Sequence, residues 1–213
     1  MKFKILIPAL LACLVSSIAF ADIDEGIEYK EISPAQPTIT KKNVEVIEFF
    51  WYGCPHCYHF EPYLQSWLAK KPANVTFLRI PAVFNAGWAI SARAFYTAES
   101  LGILDKKDAN KETFHQAFFD EIHKKGHRMS SKDEIRAFFA RFGVSKEDFN
   151  NTFDSFAVNT RVGRAATLSK RYQIDGVPSL IVNGKYRTDG PMGGGHEGML
   201  KVLDFLVKKE SKK

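Results

Sequence analysis

Two cysteines separated by two residues, Cys54-Pro55-His56-Cys57, follow an apolar run, Val44-Glu45-Val46-Ile47-Glu48-Phe49-Phe50, and the short link Trp51-Tyr52-Gly53. Thiols at this spacing can close a disulfide within one helical turn and reopen it by exchange. The β-branched and aromatic run, the glycine, and a proline suited to a first helical position predict a strand, a loop and a helix start. Cys54 then falls at a helix N-terminus, where unsatisfied N–H groups and the positive end of the helix dipole favour a thiolate. His56 can face the same sulfur and lower its pKa further. Cys57, one turn later, is expected to be more buried and to close the intramolecular disulfide. Glu48 is a carboxylate inside an apolar strand, which is rare without a partner or a role. It reads either as a proton carrier near Cys57 or as an edge-facing surface residue.

These residues need a scaffold, and the chain is long enough to build one. Its 213 residues suit one domain with an insertion or two small domains. The first 21 residues read as a secretory signal peptide: basic Met1-Lys2-Phe3-Lys4, an apolar stretch from Ile5 to Ile18, and cleavage after Ala19-Phe20-Ala21. The apolar stretch is too short to span a membrane. Leu10-Leu11-Ala12-Cys13 resembles a lipobox, but Leu11 is bulky and the apolar run continues past Cys13. Cleavage after Ala21 leaves two of the three cysteines, both in the C-x-x-C, so no structural disulfide is expected in an exported protein. It also removes Lys2 and Lys4 and takes the formal net charge from +6 to +4. So small a basic excess reads as a solvated surface and not as a nucleic-acid interface.

Along the chain, Ile27 to Ile32 alternates like an edge strand, and Ser33-Pro34-Ala35-Gln36-Pro37 is a loop. After the C-x-x-C, Tyr58, Phe60, Leu64, Trp67 and Leu68 form the apolar face of a helix, with Pro62 a candidate kink. Val75 to Ile80 is the next strand, completing a βαβ unit with a right-handed crossover. From about Val83 to Arg171 the pattern is helical throughout, with aromatic stripes that read as bundle core. Ser130-Ser131-Lys132-Asp133-Glu134 offers a capping box, and Ser145-Lys146-Glu147-Asp148 a weaker one using Asp. His123 and His127 could share a face, but Gly126 suggests that the helix ends between them. Strands return at Ser179 to Val182 and Lys185 to Thr188, joined by a two-residue Asn183-Gly184 turn. Gly190 to Gly195 reads as a flexible loop, and Met199 to Lys209 as a closing amphipathic helix.

Glu48-Phe49-Phe50, Cys54-Pro55-His56-Cys57 with Tyr58 and Phe60-Glu61, Gly176-Val177-Pro178, and Asn183-Gly184-Lys185-Tyr186 together resemble the DsbA family of periplasmic thiol:disulfide oxidoreductases. The resemblance implies an α/β thioredoxin fold, βαβ plus ββα, at residues 22–82 and 172–213, interrupted by an all-helical domain at 83–171. It implies a cis Val177–Pro178 bond beside the cysteines, with Val177 and Pro178 presenting a backbone edge to an extended substrate. Cys54, Cys57, His56, Pro55 and Glu48 are the candidate catalytic residues. Glu48 matches the family's buried acid, and Glu61 its outer charged neighbour. Gly53 departs from the bulkier residue expected before the first cysteine. The implied reaction transfers the Cys54–Cys57 disulfide to unfolded exported proteins through a mixed disulfide at Cys54. The implied partners are those proteins and a quinone-linked, DsbB-like membrane protein that re-oxidises the monomeric enzyme without a cofactor. Two other readings stay open: an isomerase or reductase of the same fold, and a peptide- or metal-binding module in which Cys54, His56 and Cys57 ligate a soft metal.

Overall fold

The computed structural model describes residues 23–40 and 42–212. The signal peptide, its cleavage after Ala21 and the lipobox at Cys13 lie outside these residues. Among the described residues five strands form one sheet: β1 (Lys30–Glu31), β2 (Val44–Phe50), β3 (Val75–Pro81), β4 (Ser179–Val182) and β5 (Tyr186–Asp189), in the order β1-β5-β4-β2-β3. β2 pairs parallel with β3 and antiparallel with β4, and all seven of its residues are buried. A strand covered on both faces has to be apolar almost throughout, which is why its sequence does not alternate. The register sets Glu48 beside Arg79 of β3 and Leu180 of β4.

Helix α1 (Pro55–Leu68) connects β2 to β3. Its Phe60, Leu64 and Trp67 share one apolar cluster with Val46 and Leu180 of the sheet and Val202, Leu203 and Leu206 of the last helix, His196–Ser211. The Trp67 indole also donates to Asp204 on that helix at 2.7 Å. On the opposite face, Ile47, Phe49 and Ile181 pack with Tyr172 and Ile174.

Between β3 and β4 run α2 (Ala86–Ser100), α3 (Phe114–His123), α4 (Lys132–Ala140), α5 (Lys146–Phe153) and α6 (Phe156–Arg171). Phe114, Phe118, Phe119, Phe138, Phe139, Phe142, Phe149 and Phe153 are buried in their common core. Ser131 and Glu134 close a reciprocal capping box on α4, and the Ser145 hydroxyl accepts the Asp148 N–H at the start of α5. A βαβ unit and a ββα unit joined through helices is the architecture the resemblance implies. The dithiol lies where the two parts meet: Phe50, Tyr52, Cys54 and Cys57 belong to the same cluster as the helical phenylalanines.

Four local expectations need correction. The helical stretch is broken at residues 101–113, where Gly102 has φ +66° and the Asp108 carboxylate accepts the N–H groups of Asn110 and Glu112, so local turn chemistry overrides the helix. The hairpin turn has three residues, because Val182 pairs with Tyr186. Lys185 stays outside the ladder while its carbonyl accepts the Ile32 N–H. The edge strand shortens to Lys30–Glu31. Gly190 to Gly195 is not an open loop: Gly190–Gly193 forms a helical turn, α7, capped by Asp189 and packed on the last helix, α8. A Cβ on Gly198 would run into the Gly193 carbonyl oxygen, so the glycines serve close backbone approach.

Candidate active site

β2 delivers the chain to a turn that aromatic residues hold from both sides. The Trp51 indole stacks on Trp88 of α2, with centroids 4.2 Å apart and planes 9° apart. The Tyr52 ring packs on Phe118 and Phe119, its hydroxyl meets His115 Nδ1 at 2.9 Å, and its carbonyl oxygen lies 2.8 Å from His123 Nε2. His123 and His127 therefore take separate partners, since His127 Nδ1 pairs with Glu121 at 2.7 Å. Gly53 is explained here as well. A Cβ at that position would collide with the Trp51 ring, so the indole occupies the space a bulkier residue would take.

Cys54 is the N-cap of α1 and Pro55 opens the helix, as the spacing predicts. The Cys57 N–H donates to Cys54 Sγ at 3.4 Å, and when protonated Cys54 Sγ donates to the Val177 carbonyl at 3.3 Å. Both thiols are free, and both are buried, Cys57 fully. The hydrogen bond from the Cys57 thiol lowers the Cys54 pKa most. Burial opposes it, and the backbone N–H groups of Cys57 and His56, then the His56 charge, bring Cys54 to about 6. Burial pushes Cys57 well up, and the hydrogen bond it gives to Cys54 adds to that. The pair is thus unequal: Cys54 is a thiolate near neutrality, and Cys57 keeps its proton.

Beneath the sulfurs lies a buried polar group. Glu48 is only 1% exposed and accepts from Arg79 Nε at 2.9 Å, which removes the surface reading of this residue. Burial raises its pKa to about 7 against the pull of Arg79. Glu61 is also buried, contrary to its expected outer position. Its Oε1 accepts from Arg79 Nη2 at 2.7 Å and from Gln65 Nε2 at 2.6 Å. Burial pushes Glu61 up, but His115, Arg79 and Gln65 outweigh it and hold the carboxyl below its usual range. His115 is itself pushed down by burial and by Arg79. One guanidinium therefore serves two carboxylates, with Glu61 the ionised one and Glu48 the one that carries a proton near neutral pH. Glu48 is close enough for its charge to raise the Cys57 pKa.

Sequence reasoning missed Arg79 and His115. Arg79 could have been found, because a lone charge in the strand Val75 to Ile80 is as conspicuous as Glu48 in its neighbour. His115 carried no such signal among the phenylalanines of α3.

The Val177–Pro178 bond is cis. Its residues line a groove of about 680 Å³ together with His56, Met192, His196 and Arg187. The structure thus brings Cys54, Pro55, His56, Cys57, Val177 and Pro178 to one place and puts Glu48 behind it. Such an arrangement can receive a thiolate at Cys54, expel Cys57 and return a proton to it.

Residues 78–206 match the model of a DSBA-like thioredoxin domain. The chain is 43% identical over 196 residues to the thiol:disulfide interchange protein DsbA of Pseudomonas syringae pv. tomato, covering 92% of this chain and 88% of that one. It is 40% identical to the protein of that name from Azotobacter vinelandii, over 94% and 90% of the two chains. The crystal structure of Pseudomonas aeruginosa DsbA superposes with a TM-score of 0.81 at 41% identity, over 89% of this chain and 97% of that one. The DsbA oxidoreductase from Xylella fastidiosa superposes at 0.78 and 34% identity, over 87% and 96% of the two chains.

Proposed function

Because the chain belongs to the DSBA-like thioredoxin family, we propose that it is a thiol:disulfide oxidoreductase whose Cys54–Cys57 disulfide is donated to exported, still unfolded proteins. The observation that carries this reading is the inequality of the two sulfurs at one helix N-terminus. In the oxidised protein a substrate thiolate attacks Cys54 Sγ and Cys57 leaves with the electron pair, taking a proton. A second substrate thiolate attacks the substrate sulfur of the mixed disulfide, and Cys54 leaves as a thiolate. Two substrate thiols become a disulfide, and the enzyme holds two electrons, one proton on Cys57 and a charge on Cys54. The second proton goes to solvent.

Cys54 is a good leaving group because its thiolate is stabilised, and the same stabilisation makes the disulfide oxidising. Glu48 is the group that returns the proton to Cys57, since it is buried and holds one near neutral pH. Val177 and Pro178 supply the backbone edge for an extended substrate. Residues 22–82 and 172–213 form the thioredoxin part and 83–171 the helical insert. The signal sequence supports a periplasmic location, and a quinone-linked membrane partner of the DsbB kind re-oxidises the pair. Among the described residues no helix is long and apolar enough to cross a membrane.

The reduction potential of the pair in a glutathione series, with thiolate absorbance followed against pH, tests the proposal. A potential more oxidising than about −200 mV with a Cys54 pKa near 6 is expected. A potential near about −270 mV with an ordinary thiol pKa would move the protein to the reductase class.

A further inference from the structure

His115 is a buried titratable side chain of the helical insert, on α3, that the exchange steps above do not use. Its ring packs on Phe50 and Phe119, with centroids 5.1 and 5.2 Å away. The Tyr52 hydroxyl meets Nδ1 at 2.9 Å, and Nε2 faces Glu61 Oε2 at 3.7 Å. Both atoms of this second contact are buried, and neither has a hydrogen-bond partner among the described residues. A ring nitrogen turned toward a carboxylate carries the hydrogen, so Nδ1 accepts from Tyr52 and Nε2 presents its N–H to Glu61. At 3.7 Å that contact is electrostatic and longer than a hydrogen bond. Arg79 and Asp105 are the other charges that act on the ring.

The two carboxylates that share Arg79 are unequally served. Glu61 has Arg79 Nη2 at 2.7 Å, Gln65 Nε2 at 2.6 Å and the His115 N–H aimed at its second oxygen. Among the described residues Glu48 accepts from Arg79 Nε alone, at 2.9 Å. Donors favour the charged form of a carboxyl, and two carboxyls beside one guanidinium favour holding one proton between them. We propose that His115 is a positioning residue for disulfide exchange: by holding Glu61 as the anion across α1 and α3, it places the shared proton on Glu48. This deepens the oxidoreductase reading and rests on Glu48 as the proton donor to Cys57. When a substrate thiolate bonds to Cys54 Sγ and the Cys54–Cys57 bond breaks, Cys57 takes the electron pair and the Glu48 proton, and Glu48 is left as a carboxylate against Arg79. Without the imidazole Glu61 takes up the proton more readily, its repulsion of Glu48 is lost, and Arg79 turns its charge on Glu48. The proton then sits on the far side of the guanidinium from the carboxyl whose charge acts on Cys57.

Reduction of the oxidised protein by dithiothreitol from about pH 5 to 9 tests this role, with the rate read by acid quench and mass spectrometry and divided by the fraction of reagent thiolate. In the natural sequence the rate per thiolate falls as Glu48 gives up its proton, with a midpoint near 7. His115→Phe keeps a ring among Phe50, Phe95 and Phe119 and moves the midpoint down by about one pH unit, which lowers the rate per thiolate at pH 7 about fivefold. His115→Gln, whose amide accepts from Tyr52 and donates to Glu61, keeps the natural midpoint. A merely structural role would lower the rate at every pH and leave the midpoint in place. A Phe variant with the natural midpoint, or a Gln variant displaced as far as the Phe one, overturns the proposal. Nitrogen NMR of the natural protein needs no variant: a hydrogen on His115 Nε2 at pH 7 is expected, and a bare Nε2 overturns the assignment. A natural protein whose rate per thiolate does not change with pH would instead remove Glu48 as the proton donor, and this role of His115 with it.

Discussion

Cys54 owes its acidity to several donors of unequal weight, and the ranking can be tested. The Cys57 thiol and the helix N–H groups act on it more strongly than the His56 charge. His56→Ser should therefore raise the Cys54 pKa by less than about one unit, equivalent to ~1.4 kcal/mol. A larger rise in the thiolate absorbance midpoint would put the imidazole ahead of the backbone. Glu48 gives a prediction of opposite sign. It binds its proton at about 7 in the folded protein, against an ordinary 4.5, so its stabilising effect is complete below pH 4.5 and is lost as pH rises through 7. The loss is at most about 3 kcal/mol. Denaturant titrations of the oxidised protein, in which neither cysteine titrates, should show stability falling between pH 5 and 8. Glu48→Gln should flatten that slope, and an unchanged slope would assign the proton elsewhere. Cys54, Cys57 and Glu48 were legible in the sequence because each is chemically out of place in its local pattern. The roles of Arg79 and His115 were not, because they depend on the β2–β3 register and on where α3 comes to rest.

At the scale of elements, strand β2 and helix α1 were readable because local signals agree: an apolar strand, a glycine, then Pro55 at the first helical turn. The serine caps of α4 and α5 were readable for the same reason. The Gly190 to Gly195 stretch misled because glycine serves two ends, backbone freedom and close approach, and only the tertiary structure tells them apart. Here Gly193 and Gly198 let α7 and α8 touch through their backbones. Gly198→Ala should then cost more than the ~1 kcal/mol typical of a lost helix cap, because the clashing atom is a carbonyl oxygen that cannot rotate away. The comparison is direct in one denaturation series with Ser131→Ala, which removes the α4 cap. A cheaper glycine variant would mean that α7 can shift.

Across the whole molecule, redox state and stability are linked through one sulfur. Cys54 titrates at about 6 in the folded dithiol and near 9.0 as an ordinary thiol. Its lowered pKa adds stability that is complete above pH 9 and is lost as pH falls through 6, and the oxidised form lacks this contribution. The reduced protein should gain on the oxidised one by about 1.4 kcal/mol per pH unit between pH 6 and 9, measured as the difference in unfolding free energy. A gap independent of pH would detach the thiolate from the oxidising power. The position of Cys57 has a different consequence. It is fully buried in the cluster it shares with the phenylalanines of α3 to α5, so an alkylating reagent can reach it only when that packing opens. Its rate of labelling in the reduced protein is a clock for breathing of the helical region, and a slow clock lets the enzyme present one sulfur to the outside while the other stays hidden.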